Sequence, residues 1–229
     1  MSTLLKRKDI RLYLLFEVVI FVAIKVAEFA LPLQAAKCVK YSAIIGNTVM
    51  AVHLFVRYGF SPSYRHDALI FCALLTNCVA DIFLTLTGGE RMFIPGFACF
   101  CAVEMFYAAY LRPDRRNLCV RGALLVAALL FARSIGLLTF PNALGLFNMT
   151  LVGMNAICAW LARRDDKSLA ALLFACGLTS FFIGDLSVAF EIMLPVGTAF
   201  QQIATLAVWT FYVPAQVLIV LTYAERLRP

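Results

Sequence analysis

Eight apolar runs, each roughly twenty residues long, take up most of this sequence, at 11–31, 37–56, 67–87, 92–111, 118–138, 142–162, 168–193 and 200–224. A helix of that length crosses a hydrocarbon core of ~30 Å. The segments between the runs are too short to fold separately. With 63% hydrophobic and 14% charged residues, the chain also lacks the polar side chains that would give a folded domain a water-facing shell. The expectation is an all-α polytopic membrane protein, a single bundle domain over 1–229 with eight transmembrane helices and no separate nucleotide-binding module. Lys6, Arg7 and Lys8 ahead of the first run imitate a secretory leader. That run, however, is long, carries Glu17, Lys25 and Glu28, and is followed by further runs, so it reads as an uncleaved first helix.

The basic residues set an orientation. If the N-terminus is cytoplasmic, the inner segments hold Lys6, Arg7, Lys8, Arg11, Arg57, Arg65, Arg112, Arg115, Arg116, Arg121, Arg163, Arg164, Lys167, Arg226 and Arg228. The outer loops then hold Lys37, Lys40 and Arg91 alone, and Lys25 and Arg133 fall within runs. Such asymmetry predicts that both termini face the cytoplasm. It also accounts for the net charge of +7 without a nucleic-acid partner.

Cofactor chemistry finds little support. The eight cysteines form no CxxC pair, and Cys99 and Cys101 fall on opposite sides of a helix, so they read as free thiols buried in the bundle. Two histidines, His53 and His66, are too few for a His-based metal centre. No metal and no cofactor is expected. Gly88-Gly89 reads as a tight outer turn, and Asn148, although it opens a formal glycosylation triplet, as an asparagine that packs helices.

The chemistry-bearing residues lie inside the runs. Ionisable groups are costly in a bilayer, which makes Glu17, Lys25, Glu28, Asp81, Glu104, Arg133 and Asp185 informative. Acids outnumber bases among them, so some carboxyls have no basic partner and are expected to be protonated or to share a proton. Glu17, Lys25 and Glu28 are expected to pair among themselves or with Arg133. Helical spacing places Asn77, Asp81 and Thr85 on one face, Cys101, Glu104 and Tyr107 on a second, and Thr205, Trp209, Tyr212 and Gln216 on a third. If these stripes converge, they line a wet pocket floored by carboxyls and walled by aromatics, suited to an amphiphile. The spacing from Asp81 to Tyr107 is nearly repeated from Asp185 to Tyr212, which suggests a parallel 4+4 internal repeat with halves 1–117 and 118–229.

These residues also carry a family pattern. Asp81, then Phe93-x-x-Gly96-x-x-x-Phe100, position 104 and Tyr107, then Gly184-Asp185 and Tyr212-x-x-Ala215-Gln216, together resemble the YhhN-type lysoplasmalogenase family. Here Ala80-Asp81 stands for the family's Gly-Asp, and Glu104 for its histidine. The resemblance implies an eight-helix membrane hydrolase that cleaves the vinyl ether bond of lysoplasmalogens without metal or nucleotide. Asp81 and Asp185 would then be the catalytic pair, in undetermined order. Glu104, Tyr107, Tyr212, Gln216 and Asn77 would orient water, proton and glycerol hydroxyls, and Trp209 would wall the pocket. Lys40, near the outer mouth, is placed to meet the phosphate or to anchor the helix at the interface. The partners implied are a lysophospholipid substrate and membrane lipids; the oligomeric state is open. Two other classes fit the same carboxyls, a proton-coupled transporter and a non-catalytic lipid-binding relative.

Overall fold

A computed structural model describes residues 3–59, 65–87 and 90–227, so the Gly88-Gly89 turn lies outside the described residues. All regular structure among them is helical. A short 3-10 turn, Thr3–Lys6, leads into α1 (Lys8–Ala30), α2 (Leu33–Tyr58), α3 (Ala68–Asp81), α4 (Glu90–Leu111), α5 (Arg115–Ser134), α6 (Phe140–Asp165), α7 (Leu169–Met193) and α8 (Ala199–Arg226). The later helices begin where a side-chain oxygen caps the first free N–H groups. Asp114, Thr139, Ser168 and Thr198 each accept from the backbone N–H three residues on. α3 does not stop at Asp81 but widens into a π-helical stretch, Ile82–Thr87.

Seven of the eight helices, α2 to α8, are long and apolar enough to cross a membrane, α3 together with its π-helical stretch, and the chain is an integral membrane protein. α1 is long enough, but Glu17, Lys25 and Glu28 set it apart by charge. The distribution of polarity is that of a protein dissolved in lipid. Phe29, Val56, Leu130, Phe140 and Ile203 are exposed, whereas Asn77, Asp81, Glu104, Asn155 and Gln216 are buried.

The helices pack in a ring. α2 touches α3, α3 touches α4, α4 touches α6, α6 touches α7, α7 touches α8, and α8 returns to α2. α1 lies against α2 and α5 against α6, outside the ring. The α7–α8 seam is the most intimate, because small residues let the two backbones approach. A Cβ added at Gly177 would lie 3.0 Å from Ile219 Cγ1 and 3.3 Å from the Ala215 carbonyl oxygen. Each outlying helix is tied to the ring by a buried polar contact onto an asparagine 34 residues later. The Tyr13 hydroxyl donates to Asn47 Oδ1 at 2.5 Å, and an Arg121 guanidinium N–H donates to Asn155 Oδ1 at 2.7 Å.

The charges of α1 divide. Lys25 pairs with Glu28 at 3.0 Å, as its spacing of three suggests. Glu17 joins no such pair among the described residues: both of its carboxyl oxygens are buried without a hydrogen-bond partner there. Arg133 is exposed at the end of α5 and makes no ion pair among the described residues. Arg121, assigned from sequence to the inner segments, is buried within the bundle.

Candidate active site

The site is assembled from α3 outward. Asn77, Asp81 and Thr85 fall at steps of four and so share one helix face. The structure uses that face directly. Asn77 Nδ2 donates to Asp81 Oδ2 at 3.0 Å, and the Thr85 hydroxyl donates to Asp81 Oδ1 at 3.2 Å. From across the bundle, α8 adds Tyr212, whose hydroxyl donates to Asp81 Oδ2 and accepts from Asn77 Nδ2 at 2.7 Å. Tyr212 sits two residues before Pro214, which lacks the N–H that would continue the α8 ladder. Asn77, Asp81 and Tyr212 are all buried, so this closed set of donors meets the cost of placing a carboxyl there.

The second carboxyl comes from α7. Asp185 is half-buried, accepts from Asn148 Nδ2 at 3.0 Å, and is close enough to Asp81 for their charges to interact. Gly184 beside it packs against the α8 backbone, where an added Cβ would make only ordinary contact, 3.6 Å from the Tyr212 nitrogen.

A third carboxyl, Glu104 of α4, is fully buried and close enough to Asp185 for their charges to interact. Asn155 clamps it, its Nδ2 donating to Glu104 Oε2 at 2.7 Å and to the Glu104 carbonyl at 2.9 Å. The other end of Asn155 holds Arg121. Arg121 is further fixed by Asn117 at 2.7 Å, so a guanidinium stands one amide away from Glu104.

Aromatic rings line one side. Tyr212 lies 5.4 Å from both Phe181 and Trp209, centroid to centroid, and Phe100 lies 6.0 Å from Phe181. Lys40 of α2 stands over the Trp209 indole at 5.2 Å. Tyr107 is buried near Glu104 and packs edge-on against Phe174, with its hydroxyl unpartnered among the described residues. Gln216 is buried as well, and its Nε2 has no hydrogen-bond partner among the described residues.

The structure thus brings Asn77, Asp81, Tyr212, Trp209, Asp185 and Glu104 around one locus and places Lys40 beside Trp209. Tyr107 and Gln216 are buried without hydrogen bonds to the carboxyls. The sequence pattern assigns Asn148 to packing and Arg121 to the inner segments, and gives no role to Asn155. A buried asparagine in a membrane helix is itself a signal of a polar partner, but it does not say which one. In place of the expected wet pocket, Asn77, Asp81, Glu104 and Tyr212 are all buried. Two surface grooves, of about 490 and 360 Å³, are lined by α1 residues around Lys25 and by Trp160, Arg163, Arg164 and Lys167, and neither is lined by the carboxyls. What the locus does offer is unused hydrogen-bonding capacity. Asn77 Oδ1, Glu104 Oε1 and Asn148 Oδ1 are buried with no partner among the described residues, and in native proteins such atoms are rare. Among the described residues no group of His, Cys, Asp and Glu is arranged to hold a metal ion; the cysteines are free thiols, but only Cys101 is buried, and Cys38 and Cys119 are exposed, contrary to the expected burial.

Comparison with known proteins gives a single kind of match. The model of the YhhN family covers residues 36–223, from the start of α2 almost to the end of α8, and so includes every residue of the locus. No curated protein and no solved structure matches the chain.

Proposed function

The chain belongs to the YhhN family, and from that premise we propose that it hydrolyses the vinyl ether bond of lysoplasmalogen-like lysophospholipids, releasing a fatty aldehyde and a glycerophospho-headgroup. The observation that carries the reading is the buried Asp81–Asn77–Tyr212 network with Asp185 within electrostatic reach.

A vinyl ether is cleaved by protonation of its β-carbon, which produces an oxocarbenium ion. Water adds to the cationic carbon to give a hemiacetal, and this collapses to aldehyde and alcohol. One carboxyl must deliver a proton, and another must face the cation and take a proton from the water. The hydrogen-bond inventory supports one division of the roles. Asp81 takes three donated hydrogen bonds, from Asn77, Thr85 and Tyr212, which suits a group that holds negative charge beside a cation. Asp185 takes one, from Asn148, and is less buried, which suits the carboxyl that carries and replenishes the proton. Asn77 Oδ1 and Glu104 Oε1 are the spare acceptors for the attacking water and a glycerol hydroxyl. Trp209 and Phe181 shield the cation from bulk water. Tyr107 and Gln216 shape the wall of the same region.

The same reading places the protein with both termini cytoplasmic and α1 as an eighth span. It also treats the bundle as one domain of two repeated halves. Advancing each helix of the packing ring by four returns the same ring, and Tyr13–Asn47 is answered by Arg121–Asn155. Within the site, the α3–α8 pair Asp81–Tyr212 is answered by the α7–α4 pair Asp185–Glu104.

The test is a product screen with purified protein in proteoliposomes against vinyl ether, ester and alkyl ether lysophospholipids. Aldehyde from the vinyl ether alone is the expected result. Fatty acid from the ester, or flux of substrate without covalent change, would replace the reading with an esterase or a transporter.

A further inference from the structure

Beyond the family match, which begins at residue 36, the end of α1 contributes a charged cluster that the proposed chemistry does not use. Glu28 is almost fully buried, and two lysines converge on it: Lys25 Nζ at 3.0 Å from Oε2 and Lys40 Nζ at 3.1 Å from Oε1. Two cations around one carboxylate leave a net positive charge. The two lysines are not equally engaged. Lys25 donates to Glu28 and to the Leu206 carbonyl at 3.0 Å. Lys40 forms an ion pair with Glu28 Oε1 but lies outside hydrogen-bond geometry, since among the described residues that oxygen has no hydrogen-bond partner. Lys40 therefore keeps its N–H donors free among the described residues, and the Trp209 face is its other neighbour. Both ammonium groups are partly exposed, and Lys25 lies on the wall of an open groove otherwise lined by Phe21, Val22, Val26, Phe29 and Ala30.

We propose that Lys25 and Lys40, spaced by Glu28, form a binding site for the phosphate of an amphiphile, which reaches it from the lipid phase along the α1 groove. This rests on the lysophospholipid reading above and names the part of the substrate that α1 recognises. The excess positive charge calls for an anion, the free Lys40 donors call for acceptor oxygens, and a phosphate supplies both. Glu28 holds the two ammonium groups apart and on the same side in the absence of ligand. The position is right for the reaction as well. Lys40 stands on Trp209, Trp209 packs on Tyr212, and Tyr212 donates to Asp81, so a headgroup fixed at the lysines leaves the adjoining ether to descend along the aromatic wall. An interfacial anchor would need neither the shared buried carboxylate nor the second lysine.

The test measures binding, independently of turnover. Trp160 and Trp209 are the two tryptophans of the chain, so a Trp160→Phe background makes Trp209 the sole indole reporter. The full-length protein is titrated with an alkyl ether lysophospholipid, which has no vinyl ether to cleave, and with the alkylglycerol of the same chain, which lacks phosphate. The expected result is that Lys25→Gln and Lys40→Gln each weaken lysophospholipid binding roughly tenfold, about 1.4 kcal/mol, and leave alkylglycerol binding unchanged. Lys25→Arg should restore most of the loss. An unchanged preference for the phosphate-bearing ligand in both variants overturns the proposal, and unchanged alkylglycerol binding shows that the variants are folded. Inorganic phosphate is titrated in parallel. Saturation at micromolar levels with the same lysine dependence would assign the site to free phosphate and overturn the lipid assignment. A protein that shows the lysine-dependent preference but releases no aldehyde from lysoplasmalogen would keep this site and lose the hydrolase reading.

Discussion

Tyr212→Phe removes one oxygen from the centre of the network and little else. The ring keeps its neighbours Phe181 and Trp209, while Asp81 loses its α8 donor and Asn77 loses one acceptor. Asp81 retains Asn77 and Thr85, so the carboxyl is weakened as a negative partner and not stripped bare. A hydrogen bond to a charged group is worth about 1.5–3 kcal/mol. If that interaction strengthens as the oxocarbenium forms, its loss appears in the barrier and slows turnover roughly 10- to 150-fold. The assay is aldehyde release from lysoplasmalogen in proteoliposomes, coupled to a dehydrogenase, with kcat and KM separated. The expected signature is a fall in kcat with KM little changed and a monodisperse elution profile like that of the unaltered protein. A variant within about threefold of the parent in kcat would refute the claim that this hydroxyl supports the reacting carboxyl.

Four further substitutions probe the mechanism and the fold. Asp81→Asn and Asp185→Asn should each abolish turnover while the protein remains folded, and near-normal rates in either would remove that residue from the mechanism. Gly177→Val should lower thermal stability in detergent by about 1–3 kcal/mol, because the new methyls meet Ile219 and the Ala215 carbonyl across the α7–α8 seam; an unchanged melting temperature would show that the seam is loose. Asp166, beyond the end of α6, is held at a pKa of about 2 by hydrogen bonds from Ser168 and by Arg226. Its folded value lies below the ordinary 3.8, so its contribution is fully present above that pH and is lost as the pH falls toward 2. Asp166→Asn should therefore lower the melting temperature at neutral pH, with the deficit shrinking between about pH 4 and pH 2; a deficit independent of pH would show that the charge is not responsible.

Much of the locus was legible because helical periodicity is a local property. Asn77, Asp81 and Thr85 could be placed on one face by counting alone, and they hydrogen-bond as that face requires. Tyr212 and Trp209 could be placed on a polar stripe of α8, but which carboxyl Tyr212 would meet depends on how α8 leans on α3 and α7. Arg121 shows where counting fails. It stands near the inner end of its run and looks like a topological charge, yet packing of α5 on α6 draws it into the core against Asn155. The same packing makes Glu104 a member of the locus, through an asparagine whose partner no sequence pattern reveals. α1 is the reverse case. Its charges were expected to pair together, and Lys25 and Glu28 do, but Lys40 of the neighbouring helix completes the group while Glu17 stands apart.

The proposed hydrolysis turns on a proton delivered to carbon, and that step leaves a permanent mark. When lysoplasmalogen is cleaved in heavy water, protonation of the β-carbon places one deuterium on the carbon next to the aldehyde carbonyl. Mass spectrometry of the product from the purified protein should therefore show a monodeuterated aldehyde, absent when Asp185 is replaced by asparagine. An unlabelled aldehyde, or a fatty acid in its place, would contradict the mechanism at its root.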